Sequence, residues 1–356
     1  MSSILESFTD AVKQAAEKRQ TLYIKGGSSK YFYGIPPLED TLPLDVTGNL
    51  GIVDYEPSEL IITARAGTPL HEIENTLAQH GQMLAFEPPH FGQSATLGGC
   101  VATGLSGPRR AYAGAVRDFV LGVRILDGQG RVMSFGGRVM KNVAGYDVSR
   151  LMAGSMGTLG ILLEVSLKVL PKPATERTLC LVTTMAQALE LMRYYATRPL
   201  PVSATCYIDG RLYVRLSGME TAVAAAQEQL RGEVDEDGET FLESIRHHTH
   251  PFFHSRPVLW RLSVKATTAP LSLPGEQLIE WGGALRWFAP AEAIAADEVR
   301  RLAAAAGGHA TLFYGDRAGT SVFQPLSPVL QRMHQRLKQQ FDPAGILNPR
   351  RMFPEF

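Results

Sequence analysis

Apolar residues Ile4, Leu5, Phe8, Val12 and Ala15 recur at helical spacing among charges of both signs, so the chain is expected to open with an amphipathic helix. The rhythm then changes. Residues 21–24 read as a short strand running into a loop of small residues, Lys25-Gly26-Gly27-Ser28-Ser29-Lys30. Strands are expected at 51–55 and 60–66, followed by a helix capped by Thr68, with Pro69 in its first position and Gly81 beyond its end. A short strand is expected at 84–86. Residues 116–126 and 131–135 flank Asp127-Gly128-Gln129-Gly130, the turn of a β-hairpin, and a long strand at 158–170 ends at Pro171 and Pro173.

Beyond the two prolines the pattern reads β-α-β-β-α, with strands at 176–183, 203–208 and 212–216 and helices at 185–196 and 221–230. It partly recurs. Strands at 258–264, 284–288 and 309–313 and a helix at 291–306 suggest two ferredoxin-like halves sharing one antiparallel sheet. A last helix, 326–341, leads into Asp342-Pro343-Ala344-Gly345-Ile346-Leu347-Asn348-Pro349. The expected organisation is therefore an α+β chain in three parts: 1–172, 173–325, and a returning segment at 326–356.

A chain of 356 residues that is 45% hydrophobic has enough apolar content for a large core and, by length, two domains. Its 35 basic and 35 acidic residues balance without a long run of either, which argues against a nucleic-acid partner. The amphipathic start is not a secretory signal, and no uncharged apolar run approaches the roughly 18 residues of a spanning helix. The expected location is cytoplasmic, with any membrane contact peripheral and through a complex. Cys100, Cys180 and Cys206 are too few and too scattered for the four ligands of an iron–sulfur cluster. An electron acceptor of that kind would sit on another chain.

Glycine is densest in Thr96-Leu97-Gly98-Gly99, in Gly104-Leu105-Ser106-Gly107, and in Gly154-Ser155-Met156-Gly157-Thr158-Leu159-Gly160. Loops without Cβ atoms let backbone amides approach an anion, so a phosphate-bearing ligand is the first suspect. Neither GxGxxG after a strand nor GxxxxGK[ST] is present, which excludes the usual nicotinamide and nucleoside-triphosphate motifs. His71-Glu72 starts an HExxH pattern that fails at Asn75.

Five blocks in order, GLSGPRRAYAGAVRDFVLG, GRVMKNVAGYDVSRLMAGSMGTLG, LWRLSV, GGALRWF and FDPAGILNP, carry a resemblance. The chain resembles the vanillyl-alcohol oxidase family, with a PCMH-type FAD-binding domain followed by an FAD-linked oxidase C-terminal domain. Within it the likeness is to the FAD-binding subunits of bacterial glycolate oxidases. The resemblance implies FAD and a small 2-hydroxy acid substrate. It also implies a catalytic FAD subunit and an iron–sulfur subunit as partners.

Carried onto this sequence, the first pyrophosphate loop falls on Lys25, Gly26, Gly27, Ser28 and Ser29, and the second on Pro89, Thr96, Gly98 and Gly99. Ser106 and Gly107 would approach the flavin, Asp118 would close that block, and Gly157, Gly160 and Ile161 would offer backbone contacts. Asn348 would reach the ring. A diphosphate is well matched by convergent amides. Where covalent members of the family have a histidine, this loop has Ser28 and Ser29, so the FAD is expected to be non-covalent.

Catalytic relatives read GSEGTLG where this chain has Met156, and they carry a histidine-rich metal site. Here Pro251 interrupts His247, His248, His250 and His254, which are read as a turn between domains, with no metal. Arg261, Arg109 and Arg110 are the catalytic candidates, because a guanidinium fork can hold a substrate carboxylate or favour a reduced flavin. Two alternatives stand beside the subunit reading: a self-sufficient 2-hydroxy-acid dehydrogenase, and a flavin-free assembly subunit.

Overall fold

The computed structural model describes residues 2–137, 147–315 and 321–356. The part of the GRVMKNVAGYDVSRLM block at 138–146, including Gly145 and Tyr146, lies outside the described residues. Helix Ser2–Lys18 buries Phe8, Val12 and Ala15 against Leu126, Ile161, Leu163 and Leu347, as its helical periodicity demands. Strand Leu22–Lys25 pairs in parallel with Leu42–Asp45, and Leu22 bridges to Leu347 in the C-terminal tail. Behind this pair stands a five-stranded antiparallel sheet in the order Ile52–Glu56, Ile61–Arg65, Ile161–Lys168, Val120–Leu126, Val132–Gly136. Its middle strand, ILLEVSLK, is covered on both faces, which is why its sequence is almost continuously apolar.

Several local expectations are corrected. Thr68 caps no helix: its hydroxyl accepts from the Gly51 amide at 2.9 Å, and helix Leu70–Ala78 begins after Pro69 with no side-chain cap. The expected strand at 84–86 lies earlier, at Gln82–Met83, where it pairs with Leu170–Pro171. Residues 116–119 form a helical turn rather than the start of a strand, because Asp118 accepts from the Ala115 amide and closes the turn. Thr96-Leu97-Gly98-Gly99 is not a loop but the start of helix Leu97–Thr103, with Thr96 as its cap.

The second sheet has eight strands, all neighbours antiparallel, in the order Glu233–Val234, Thr175–Val182, Arg211–Gly218, Val202–Ile208, Gly275–Glu280, Leu285–Pro290, Leu259–Ser263, His309–Tyr314. Each run of four has the ferredoxin-like order, and the two meet where Val202–Ile208 pairs with Gly275–Glu280. The first half has both crossover helices, Met185–Ala196 and Glu220–Leu230. The second has only Ala296–Ala305, and an irregular segment replaces the other. Strand Gly275–Glu280 went unread in the sequence because its first half, GEQ, is exposed and polar.

These three helices pack on one face of the large sheet. The opposite face turns Cys206, Leu259, Leu278, Leu285, Trp287 and Phe313 toward Tyr33, Leu105 and Met156 of the N-terminal part. Helix Pro328–Phe341 then returns the chain to the N-terminal core through Leu337 and Phe341. At its end the buried Asp342 carboxylate pairs with Lys338 Nζ at 2.7 Å and accepts from the amides of Ile346 and Leu347. That explains the DPAGIL part of the tail as a folded clasp. Among the described residues no helix is long and apolar enough to cross a membrane.

Candidate functional site

The N-terminal part holds a cleft whose walls bring together distant glycine segments: Gly26 to Lys30, Thr96 with Gly98 and Gly99, and Gly157 with Gly160. The amides of Gly26, Gly27, Ser28 and Ser29 find no acceptor among the described residues. They are the donors a diphosphate requires. A Cβ on Gly27 would stand 1.5 Å from Ser94 O, so only glycine permits this approach of the two loops. Gly98 and Gly99 act differently. Their amides already donate to Ala66 O and Thr96 Oγ1, at 2.7 and 3.2 Å, so these residues shape the cleft floor.

The other sequence candidates divide in two. Lys25 points its ammonium toward Asp45 at 3.6 Å, outside the cleft. Pro89 is buried off the cleft. Ser106 Oγ accepts from Val116 N at 3.0 Å, Gly107 passes directly against Glu87 O, Asp118 caps a turn, and Ile161 is a core residue. Asn348 does line the cleft, but its side chain is engaged within the chain. Its Oδ1 accepts from Ile24 N at 2.8 Å and its Nδ2 donates to Met156 O at 2.7 Å, fixing the tail, the first strand and the Gly154–Gly160 loop to one another. Lys30, Tyr23, Tyr31 and Arg351 also line the cleft and were not foreseen. Lys30 is buried, and that burial pushes its ammonium below the ordinary pKa of 10.5. Arg351 donates to the carbonyls of Tyr31, Tyr33 and Ile35, tying down the loop that follows Lys30. A lysine directly after Ser-Ser was the one sequence signal for Lys30.

The arginines separate sharply. Arg109 was a candidate for holding a substrate carboxylate or favouring a reduced flavin. It is instead buried, its Nε donates to Glu87 at 3.1 Å, and its Nη2 pairs with Glu176. Arg215 joins the same Glu87 at 2.7 Å. This network lines a polar cavity of about 830 Å³ between the two parts of the chain. Its charged groups already hold one another, so its size alone does not make it the cofactor site.

Arg110 and Arg261 lie further along the same seam. Both guanidinium groups rest on Trp281, with Cζ 4.2 and 5.1 Å from its ring centre. Arg261 shares its strand face with Leu259, so period-2 alternation turns it toward the N-terminal part. Glu280 is on that face too, buried, with Oε2 accepting from Trp287 Nε1 at 2.8 Å. Burial raises its pKa from 4.5 to about 7, against the opposing pull of the Trp287 hydrogen bond and Arg261. His248 is buried beside them, stacked on Phe253 at 4.1 Å; desolvation, then Arg261, holds it well below its ordinary pKa. The other histidines of the expected turn disperse: His247 pairs with Glu243, His250 caps Pro251–His254, and His254 meets the His248 carbonyl.

A glycine-lined cleft with free backbone amides, beside a ferredoxin-like double sheet, is the architecture expected of an FAD-binding protein. The sequence profile of the FAD binding domain family matches residues 5–136. The chain is 49% identical over 351 residues to glycolate oxidase subunit GlcE of Escherichia coli, covering 98% of this chain and 97% of that one. It therefore belongs to the GlcE family of FAD-binding glycolate oxidase subunits, proteins named as parts of a multi-subunit assembly. Glycolate oxidase subunit GlcD of Bacillus subtilis is 30% identical over 46% of this chain and 35% of its own length. Among solved structures, an alkyldihydroxyacetonephosphate synthase superposes with a TM-score of 0.67 at 18% identity, covering 96% of this chain and 74% of that one, and shares the fold.

Proposed function

We propose that this chain is the FAD-carrying subunit of an assembly that oxidises glycolate or a similar 2-hydroxy acid to the 2-oxo acid. Its partners would be a catalytic flavin subunit and an iron–sulfur subunit. The observation that carries this reading is the near full-length identity to a glycolate oxidase subunit, together with the free amides of Gly26 to Ser29 in a cleft only glycine can form. In such a site FAD supplies a two-electron acceptor that can pass electrons on one at a time.

The chain's own residues do the rest. The amides of Gly26 to Ser29 bind the diphosphate, and Lys30, poorly solvated, adds a cation beside them. Asn348 and Arg351 hold the cleft walls in register. We read residues 1–172 and 326–356 as one cofactor-holding unit and 173–325 as its cover. The FAD is non-covalent in this reading, since no histidine or cysteine lines the cleft among the described residues. Membrane contact would come through the partners.

Gly27→Ala tests the cofactor site. The purified variant should lose most of its bound FAD, measured as flavin released on denaturation; full retention would sink the placement. Affinity capture from the host, followed by flavin and iron analysis, tests the assembly. A parent chain that neither contains nor rebinds FAD would favour the assembly-subunit reading instead. The self-sufficient dehydrogenase reading has Arg261 in its favour. Anaerobic bleaching of the flavin in the isolated chain by glycolate or D-lactate would support it, and no bleaching would count against it.

A further inference from the structure

Arg110 and Arg261 are the two guanidinium groups along the seam that the cofactor reading leaves unexplained. Arg110 comes from the N-terminal part, in helix Arg110–Ala113, and Arg261 from the large sheet. Neither side chain forms an ion pair or a hydrogen bond among the described residues. Both are half-buried, and they share the Trp281 ring, with Arg261 also 5.8 Å from the centre of Trp287. Desolvation and then repulsion from Arg261 lower the pKa of Arg110, and desolvation lowers that of Arg261.

An arginine removed from water normally has its donors matched by carboxylates or carbonyls. Cation–π contact is worth only about 0.5–2 kcal/mol and leaves the in-plane N–H donors free. The nearby acids act on them only at a distance: Asp118, which accepts from Ala115 N, acts to raise the pKa of Arg110, and Glu280, engaged by Trp287, acts to raise that of Arg261, but neither forms an ion pair with an arginine donor. Trp281 itself is firmly placed. Its Nε1 donates to Gly107 O at 3.0 Å, and its backbone φ of 55° lies in the region that ordinary side chains avoid. Two cations close enough to repel one another, both against one firmly placed indole and without an ion-pair partner among the described residues, leave donors that an anion could take.

We propose that Arg110 and Arg261 jointly bind a small carboxylate across the seam, with Trp281 as the platform that holds both guanidinium groups in place. The assignment of that carboxylate to the 2-hydroxy or 2-oxo acid class rests on the function proposed above; the anion site does not. One cation comes from each part of the chain, so the ligand also ties the two parts together. Trp281 and Trp287, two of the three tryptophans, lie against Arg261, which makes binding visible in intrinsic fluorescence.

The experiment uses oxalate, a planar carboxylate that donates no hydride, titrated into the full-length protein while tryptophan fluorescence and melting temperature are followed. The parent should show a saturable fluorescence change and a rise in melting temperature. Arg110→Gln and Arg261→Gln should each weaken oxalate binding about ten-fold or more. Arg261→Lys should lie between them and the parent, keeping charge but losing the fork. Lys18→Gln, on the exposed face of the first helix, should bind as the parent does. Melting without oxalate reports whether each variant is folded, and should be unchanged or higher for the Gln variants because a like-charge contact is removed.

Failure of the parent to bind oxalate at millimolar concentration, or equal binding by the parent and both Gln variants, overturns the proposal. Flavin content is read separately. Oxalate binding by a protein without FAD would uphold the anion site while rejecting the cofactor reading, and flavin without oxalate binding would do the reverse.

Discussion

Two stretches of the same seam treat arginine in opposite ways. At one end Arg109 and Arg215 surround Glu87, with Glu176 and Ser217 closing the network, and each guanidinium has a carboxylate against it. At the other, Arg110 and Arg261 share an indole and have none. The sequence neighbours Arg109 and Arg110 therefore belong to different devices: the first ties the two parts of the chain together, and the second rests on Trp281 without a carboxylate against it. A buried cation that is already neutralised locally contributes to the fold, whereas one left unneutralised has capacity for a partner from solution.

The contrast is broken most severely at the paired end. Glu87→Ala leaves Arg109 and Arg215 without their shared acceptor and should destabilise the protein by about 3–5 kcal/mol, measured by chemical denaturation. A cost below about 1 kcal/mol would mean that the network is not a latch.

Next is Glu280, between the two tryptophans and Arg261. Its folded pKa of about 7 lies above the ordinary 4.5. Below pH 4.5 both folded and unfolded states hold the proton, and the group costs nothing. Between 4.5 and 7 the unfolded state ionises first, so stability falls as pH rises, and above 7 the loss is complete. Glu280→Gln should therefore be near neutral at pH 4 and stabilising by about 3 kcal/mol at pH 8. Equal effects at both pH values would show that Glu280 is not an acid held neutral by burial.

At the unpaired end, Arg110→Gln should change stability by less than about 1 kcal/mol, because loss of the aromatic contact is offset by relief of repulsion. A loss as large as that of Glu87→Ala would place Arg110 in the latch. The smallest effect is expected for Lys25→Ala, whose exposed pair with Asp45 should contribute no more than about 0.5 kcal/mol, with FAD content unchanged. Loss of FAD in that variant would put the Lys25 side chain back into the site.

Much of the architecture was legible because it rests on local pattern. The helix at 185–196 has the bounds its periodicity suggested, and the turn at Asp127–Gly130 joins the strands expected on either side of it. Elements without such a pattern were missed: Leu42–Asp45 contains a proline and is mostly exposed, and helix Leu97–Thr103 carries two glycines in its first turn. The site was legible to the same depth. Glycine marks where a backbone must come close, so Gly26, Gly27 and Gly157 could be found by type. Which amides stay free, and which are taken by Ala66 O or Thr96 Oγ1, depends on chain crossings that no local pattern records.

The sequence by itself determined the α+β class, most of the strongly periodic helices and strands, and the glycine segments, since each follows from side-chain size and short-range periodicity. Only the tertiary structure decided which arginines are neutralised. Glu87 lies 22 residues from Arg109 and 128 from Arg215, and Trp281 lies on a turn remote from Arg110. Charge pairing acts through distance in space, so the same residue type became a latch at one end of the seam and an anion site, as we propose, at the other.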